Sequence, residues 1–337
     1  MDEQEFINGI MEQQNRMAEY DKKNLKASQQ NRTSIDELVR LVNSILIKHH
    51  ITDTINKQHI RFYADFIGNI IKVNDKKLSH LIFNKYFPNP TNSTYYHYTS
   101  YDAFTNIIKN KKLRLSNLNK RFQDGEFSTF YSEHGMDGYK TGGTVMGVDC
   151  SEKAIMSEIF FLSLTGSAYD FDINSLWRDF GKDGEGVRLE FKVKPKTTDF
   201  REVFYSTNKD KNCIPLLKEL FTEVKSKYGV PFNFTYSSKI GAFYIKGKFQ
   251  NENEYRLIIK RTSDDYEAGH IPTHIVDAAT GVKYIEIDFL NDYADFELVS
   301  VQPGYNCSAS EISKINKLIT DAGTTTTVLP KALENYF

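Results

Sequence analysis

Residues 94–116 read TYYHYTSYDAFTNIIKNKKLRLS. Thr94–Tyr98 is a run of aromatic and β-branched residues and reads as a short strand. Thr99 or Ser100 offers a helix N-cap, and Tyr101–Asn110 carries helical spacing. At Lys112–Ser116 the pattern alternates again, with Leu113 and Leu115 on one side of a second strand. Strand, helix and strand in so short a stretch mark a mixed domain of the α+β class. Downstream, further strands are expected at Ile159–Leu164, Gly186–Val193, Ala242–Phe249, Glu254–Lys260, Lys283–Phe289 and Phe296–Val301. Helices are expected at Ser128–Glu133, Ile214–Tyr228 and Ser310–Ala322, the last ending at Gly323. Asn119–Gly147, rich in glycine and polar residues, reads as a long irregular excursion.

Upstream, Pro88-Asn89-Pro90 removes backbone donors and biases the preceding residues toward extended conformations, so a boundary is placed there. Apolar residues recur at helical spacing from Ser34, with Glu37 in the capping-box position, and again over Thr54–Ile71 and Lys76–Tyr86. Residues 31–88 therefore read as a helical module, residues 1–30 as a mobile or partner-dependent arm, and residues 91–337 as the main domain.

Composition sets the outer bounds. The chain has 337 residues, with 43 Lys and Arg against 44 Asp and Glu, a balance that excludes a basic wrapper of nucleic acid. Hydrophobic residues at 40% and aromatics at 13% suffice for a sizeable core. No run approaches the roughly 18 apolar residues of a membrane helix, and the N-terminus lacks a basic segment followed by an apolar one. Neither membrane insertion nor secretion is expected. Cys150, Cys213 and Cys307 are too scattered for a disulfide framework or a cysteine zinc site, which points to a reducing cytoplasm.

Four segments carry polar groups inside apolar strands, where such groups must be hydrogen-bonded or useful. In Tyr95–Ser100 the imidazole of His97 shares a strand face with Tyr95 and Thr99. Phe160–Thr165 sets Ser163 and Thr165 on alternate positions, without the Gly-x-Ser-x-Gly frame of a hydrolase elbow. In Asn251–Ile259 a period of two projects Glu252, Glu254 and Arg256 together, away from Tyr255, Leu257 and Ile259. Leu176-Trp177-Arg178 precedes the loop Gly181–Gly186, which matches neither a P-loop nor a dinucleotide fingerprint. Each segment also has an ordinary structural reading, namely a satisfied core histidine, a strand-end hydroxyl, a solvated ion-pair ladder and a packing anchor. The histidines show no HExxH or CxxC companion, although His270 and His274 could meet on a folded loop.

Taken in order, His-Tyr-Thr-Ser before a helix, Phe-x-Ser-Leu-Thr, Leu-Trp, Gly-Val-x-Leu-x-Phe and Glu-x-Glu-Tyr-Arg resemble the bacterial family called domain of unknown function 2971. The resemblance spans about Tyr95 to Ile319. That family resembles a distant branch of the ADP-ribosyltransferase fold and accompanies phage-defence or toxin systems. The resemblance implies a split, mostly antiparallel sheet and NAD as substrate. It places the superfamily's three strand-borne elements at His97, Ser163 with Thr165, and Glu254, with Glu252 as the forward glutamate. Asp124 and Glu126 stand where the family has an Asn-Asp pair and an acid, at looser spacing. The implied cytoplasmic effector transfers ADP-ribose to a macromolecule, protein or nucleic acid, and binds an antitoxin or sensor through its N-terminal helices.

Cleaving the nicotinamide–ribose bond develops oxocarbenium character, which calls for a carboxylate beside the sugar. Glu254 is expected to accept from a ribose hydroxyl and His97 to hold ribose hydroxyls, with Ser163 in support. Glu252 is expected to orient or deprotonate the acceptor. Tyr95, Tyr98 or Tyr101 would stack on nicotinamide, with Thr99 and Thr165 beside them, and Arg114, Arg121, Lys246 and Lys248 are candidates for the pyrophosphate. Two other readings stand beside this one. The first is a non-enzymatic module binding a nucleotide or partner, including nucleic acid at residues 109–120. The second is a metal-dependent nuclease using Asp124, Glu126, Glu252 and Glu254.

Overall fold

The computed structural model describes residues 32–333 except 66–67, 74–75, 88, 91–93, 120–125, 137–143, 146–147, 150–154, 167–172, 207–212, 230–231, 235 and 262–271. The chain forms two compact units. One joins Met1–Lys85 to Phe130–Glu152 and Cys213–Ile240, and the other comprises Tyr86–Thr129, Lys153–Asn212 and Gly241–Phe337. A domain running unbroken from residue 91 is thus corrected, because two of its segments pack with the N-terminal residues.

In the first unit the helix Arg32–Lys48 packs on the helix Pro215–Tyr228. Leu38, Val42, Ile45 and Leu46 are buried from one, and Leu217, Leu220, Phe221 and Val224 from the other, as the 3.6-residue period requires. Full burial of such side chains contributes about 1.5–3 kcal/mol each. The first helix starts at Arg32, two residues ahead of Ser34. Lys76–Tyr86 is helical as its spacing predicts. The helix expected over Thr54–Ile71 is replaced by a short 3-10 turn, Lys57–His59, and an antiparallel hairpin of Ile60–Asp65 with Gly68–Val73. The physical reason lies far along the chain. Phe232–Phe234 pairs in parallel with Ile71–Val73 and completes a three-stranded sheet. A short β-branched and aromatic run is ambiguous by periodicity, and the distant strand decides it.

His134 ties this unit together locally. Its Nδ1–H donates to the Phe130 carbonyl at 2.6 Å and its Nε2 accepts from the backbone N–H of Ile214 at 2.9 Å. Ile214 is the N-cap residue of the helix Pro215–Tyr228 and provides no side-chain cap of its own, so the imidazole satisfies an otherwise orphaned donor.

The second unit is built on a ten-stranded sheet. Its strands are β1 Thr94–Thr99, β2 Lys112–Asn117, β3 Ile159–Thr165, β4 Val187–Pro195, β5 Phe200–Glu202, β6 Glu254–Lys260, β7 Ile275–Val276, β8 Lys283–Asp288, β9 Ala294–Pro303 and β10 Thr327–Val328. The main path runs β7-β8-β2-β3-β1-β4-β9-β10, with β6 on the other side of β3 and β5 beyond β6. All pairs are antiparallel except β9 with β10. The strand expected over Ala242–Phe249 shortens to Tyr244–Lys246, which pairs with Phe204–Ser206, and gives way to a 3-10 turn over Gly247–Glu252.

Among the described residues three helices complete the unit, α1 Tyr101–Asn110, α2 Ile173–Asp179 and α3 Ala309–Asp321. Ser100 caps α1 through Ala103 N–H, and Ser308 with Glu311 forms a capping box on α3. One sheet face buries Tyr95, Leu113, Leu115, Leu162, Leu164, Leu189 and Leu257 against Phe104 and Ile107 of α1 and Ile315 and Ile319 of α3. On a smaller cluster Tyr98 meets Leu176, Trp177 and Ala332. The loop Gly181–Gly186 is stitched to β1 at closest approach, since a Cβ on Gly186 would lie 2.2 Å from the Thr99 carbonyl oxygen. Any side chain there would displace the end of β1.

Burial pushes the His134 imidazole down from its ordinary value to about 4. The folded chain keeps it neutral while the unfolded chain protonates it below about pH 6.5. The stability it supports is therefore complete above that pH and is lost as pH falls toward 4, by about 3 kcal/mol. Amide exchange across Pro215–Tyr228 should accelerate over this window in the wild type, and the acceleration should be absent from His134→Gln.

Candidate functional site

A strand has two hydrogen-bonding edges, and β3 has three neighbours. β6 occupies one edge along the whole of Ile159–Thr165. The other edge is shared, with β2 pairing at Phe160 and Phe161 and β1 pairing at Thr165 alone. Between these points the sheet is split, because α1 must bridge the end of β1 and the start of β2. The split opens a cleft of about 630 Å³ lined by residues of β1, α1, β2 and β8, by Asp179 and Phe180, and by the turn holding Asp277 and Thr280.

His97 stands at the split. Its Nδ1 lies 3.1 Å from the Ser163 carbonyl oxygen, which the interrupted ladder leaves without a strand partner on that side. A carbonyl only accepts, so Nδ1 carries the proton and the neutral ring keeps Nε2 as an acceptor. Burial holds the His97 pKa below the ordinary imidazole value, against the pull of the Ser163 carbonyl. His97 and Tyr98 border the cleft and also a small adjoining recess of about 60 Å³ lined by Ser163, Thr165, Leu176, Phe180 and Glu252 among others. Among the described residues, the buried Ser163 Oγ has no hydrogen-bond partner. Burial raises the Tyr98 phenol pKa, in opposition to the nearby Arg188 guanidinium. An orphaned Ser163 hydroxyl beside the half-buried Glu252 carboxylate makes the recess a place where a polar ligand gains more than it loses.

Glu254 and Glu252 take separate places, and the expectation that they project together is corrected. Asn253 adopts φ +43° at the end of the 3-10 turn, which breaks the period of two before β6 begins. Glu252 is left beside the recess. Glu254 lies opposite Thr165, and Arg256 lies opposite Ser163 on one side and Arg201 on the other. The Arg256 guanidinium reaches both Glu254 oxygens, Nε to Oε1 at 2.8 Å and Nη2 to Oε2 at 3.1 Å, and donates also to the Ala242 carbonyl. Both side chains are almost fully buried, at 1% and 4% exposure. With Arg201 also buried and facing Arg256, the Glu254 carboxylate is the counter-charge that this part of the sheet requires. It is not open to a ribose hydroxyl.

Of the other expected residues, Thr99 and Arg114 line the cleft and Thr165 lines the recess. Arg114 is committed, with its guanidinium 3.7 Å from the Tyr284 ring centroid and bonded to Asp277 at 3.2 Å. Tyr95 is fully buried in the core, and Tyr101 packs against Phe104, so neither borders the cleft. Lys246 and Lys248 do not line it either. Asp124, Arg121 and the side chain of Glu126 lie outside the described residues. Among the described residues, no three His, Cys, Asp or Glu side chains converge on a point that would hold a metal ion. Sequence reasoning missed Asn106, Asn110, Phe180, Asp277, Tyr284 and Glu286 as lining groups. Only the asparagines carried a signal, since they recur four apart on one face of α1.

No family model, no curated protein and no solved structure matches this chain.

Removing one partner of the buried pair strands a charge. Glu254→Gln should cost about 3–5 kcal/mol in denaturant unfolding, whereas the double replacement Glu254→Leu with Arg256→Met should cost clearly less than the two single changes summed. Wild-type stability in Glu254→Gln would mean that the Glu254 carboxylate does not hold the sheet together.

Proposed function

We propose that the chain is an NAD-dependent ADP-ribosyltransferase whose reacting ribose sits at the recess, with Glu252 as the working carboxylate. The observation that carries this reading is the meeting of His97, Ser163, Tyr98, Thr165 and Glu252 at one recess that opens beside a cleft of about 630 Å³. Those residues come from three segments distant in sequence, and the Ser163 hydroxyl among them is buried without a partner.

Their chemistry suits cleavage of a glycosidic bond. The bond from ribose to the nicotinamide nitrogen breaks with its electron pair going to that nitrogen, which loses its positive charge. Positive charge develops on the sugar, where the Glu252 carboxylate stabilises it. His97 Nε2 accepts from a ribose hydroxyl, and Ser163 Oγ donates to the ligand. The Tyr98 and Phe180 rings wall the planar leaving group. The acceptor's nucleophile then bonds to the sugar carbon, and its proton passes to Glu252. The acceptor is a macromolecule, and the N-terminal unit is the surface for a controlling antitoxin or sensor protein in a cytoplasmic defence effector.

The buried Glu254–Arg256 pair favours a second reading, a ligand-binding module without turnover, because one of the two glutamates of the Glu-x-Glu stretch is sequestered. Incubation with NAD separates the two. Wild type should release nicotinamide, and Glu252→Gln should lower the rate by about 100-fold or more with melting unchanged. NAD bound without nicotinamide release would leave the binding module in its place.

A further inference from the structure

We infer that Tyr205 is a positioning residue for Glu252, its phenol donating a hydrogen bond that orients the carboxylate at the recess and keeps it ionised. The inference rests on the reading of Glu252 as the working carboxylate and adds the group that prepares it.

The segment Val203–Tyr205 grips the backbone of Glu254 from both sides. Val203 N–H donates to the Glu254 carbonyl at 3.0 Å, and Glu254 N–H donates to the Tyr205 phenol oxygen at 2.7 Å. The strand Phe204–Ser206 also packs against the 3-10 turn Gly247–Glu252, of which Glu252 is the last residue. The phenol oxygen is therefore held one residue beyond Asn253, where the left-handed backbone separates the Glu252 side chain from that of Glu254.

A phenol both accepts and donates. The Tyr205 oxygen accepts from Glu254 N–H, and among the described residues no hydrogen bond uses its own proton. The charges that act on this phenol are those of Glu254, Glu252 and Arg256. Glu254 is occupied, with both oxygens accepting from Arg256. The Glu252 carboxylate, at the wall of the recess, is the acceptor that remains. Burial and the two carboxylates push the Tyr205 phenol pKa above its ordinary value, so the phenol keeps the proton it has to donate. A neutral donor to an ionised carboxylate makes a charge-assisted hydrogen bond, which favours the charged form and fixes its orientation. In a recess walled by Leu164, Leu176 and Phe180, such a bond replaces one from water.

The sign follows directly. Without the Tyr205 hydroxyl the ionised form of Glu252 is less favoured, so its pKa rises and the acid limb of nicotinamide release moves to higher pH. The other titratable or charged groups around Glu252 are His97, Tyr96 and Tyr98 across the recess, Glu254 and Arg256 on β6, and Lys246 and Lys248 at the start of the turn.

Carboxyl-labelled glutamate NMR of the full chain, with the Glu252 resonance assigned by its absence from Glu252→Gln, reads this titration without NAD. Tyr205→Phe should lower the acid dissociation constant of Glu252 by about tenfold, the scale of one charge-assisted hydrogen bond. Replacing the Tyr205 side chain by 3-fluorotyrosine keeps the ring and the oxygen, and its more acidic phenol should raise the constant instead. In NAD turnover, Tyr205→Phe should slow nicotinamide release by about tenfold, and this effect should vanish when Glu252→Gln is already in place. An unshifted Glu252 titration in Tyr205→Phe, or in the fluorotyrosine chain should the phenylalanine variant not fold, would overturn the inference. So would an equal slowing in the Glu252→Gln background, which would reduce the phenol to a support for the Glu254 backbone. A shifted titration without nicotinamide release keeps the role of Tyr205 and removes the transferase, and release with an unshifted titration does the opposite.

Discussion

A β-strand offers two edges, and β3 is asked to serve β6, β2 and β1 with them. Because β6 takes one edge completely, β1 and β2 must share the other and part between Phe161 and Thr165. The parting would strand backbone groups in the interior, and the cost of an unpaired carbonyl there is comparable to a lost hydrogen bond. His97 meets that demand at Ser163. One imidazole thus both permits the split and stands inside it, which fixes its tautomer and leaves its second nitrogen for a ligand. The glycine loop at Gly181–Gly186 and Trp177 clamp the far end of β1, with Trp177 edge-on to Tyr98 at 4.9 Å between centroids. The cleft is therefore a consequence of sheet topology, held open by packing on both sides.

The electrostatics follow the same division between framework and site. Buried charge in the second unit is balanced within the sheet, where Glu254 answers Arg256 and the facing Arg201 is carried by backbone carbonyls such as that of Phe87. Glu254 is pinned through its backbone as well, since its N–H donates to the Tyr205 hydroxyl at 2.7 Å. Only two residues away, Glu252 borders the recess instead, because Asn253 turns the chain through the left-handed region. Two glutamates nearly adjacent in sequence consequently have opposite roles, one holding the sheet together and the other facing a recess. Within the cleft itself Asp179, Asp277 and Glu286 line the wall together with Lys112 and Arg114, and Arg114 is paired with Asp277.

Much of the second unit was legible in the sequence. The strand–helix–strand of residues 94–116, the apolar strand at Ile159, the helix after Ser308 and the strand over Glu254–Lys260 emerge within a residue or two of their expected bounds, because their periods and caps are local properties. The candidate residues His97, Ser163 and Glu252 are also conspicuous in sequence as polar groups in or beside apolar strands. The hairpin at residues 60–73 was not legible, because its strand character depends on Phe232–Phe234 more than 150 residues later. Glu254 was misjudged for a related reason. Alternation predicts which side of a strand a residue faces and says nothing about the arginine that will lie beside it.

By itself the sequence determined an α+β chain without a span long and apolar enough to cross a membrane, the positions along the chain of most strands of its main sheet, and the short list of residues from which a site would be drawn. The tertiary structure alone decided that the chain folds as two units whose segments alternate along the sequence, that β3 parts its neighbours to open a cleft, and which of two glutamates borders the recess beside that cleft. Local periodicity is encoded within a few residues. The sharing of a strand edge and the pairing of a buried charge arise only when segments far apart in the chain meet, and each depends on partners that no local pattern names.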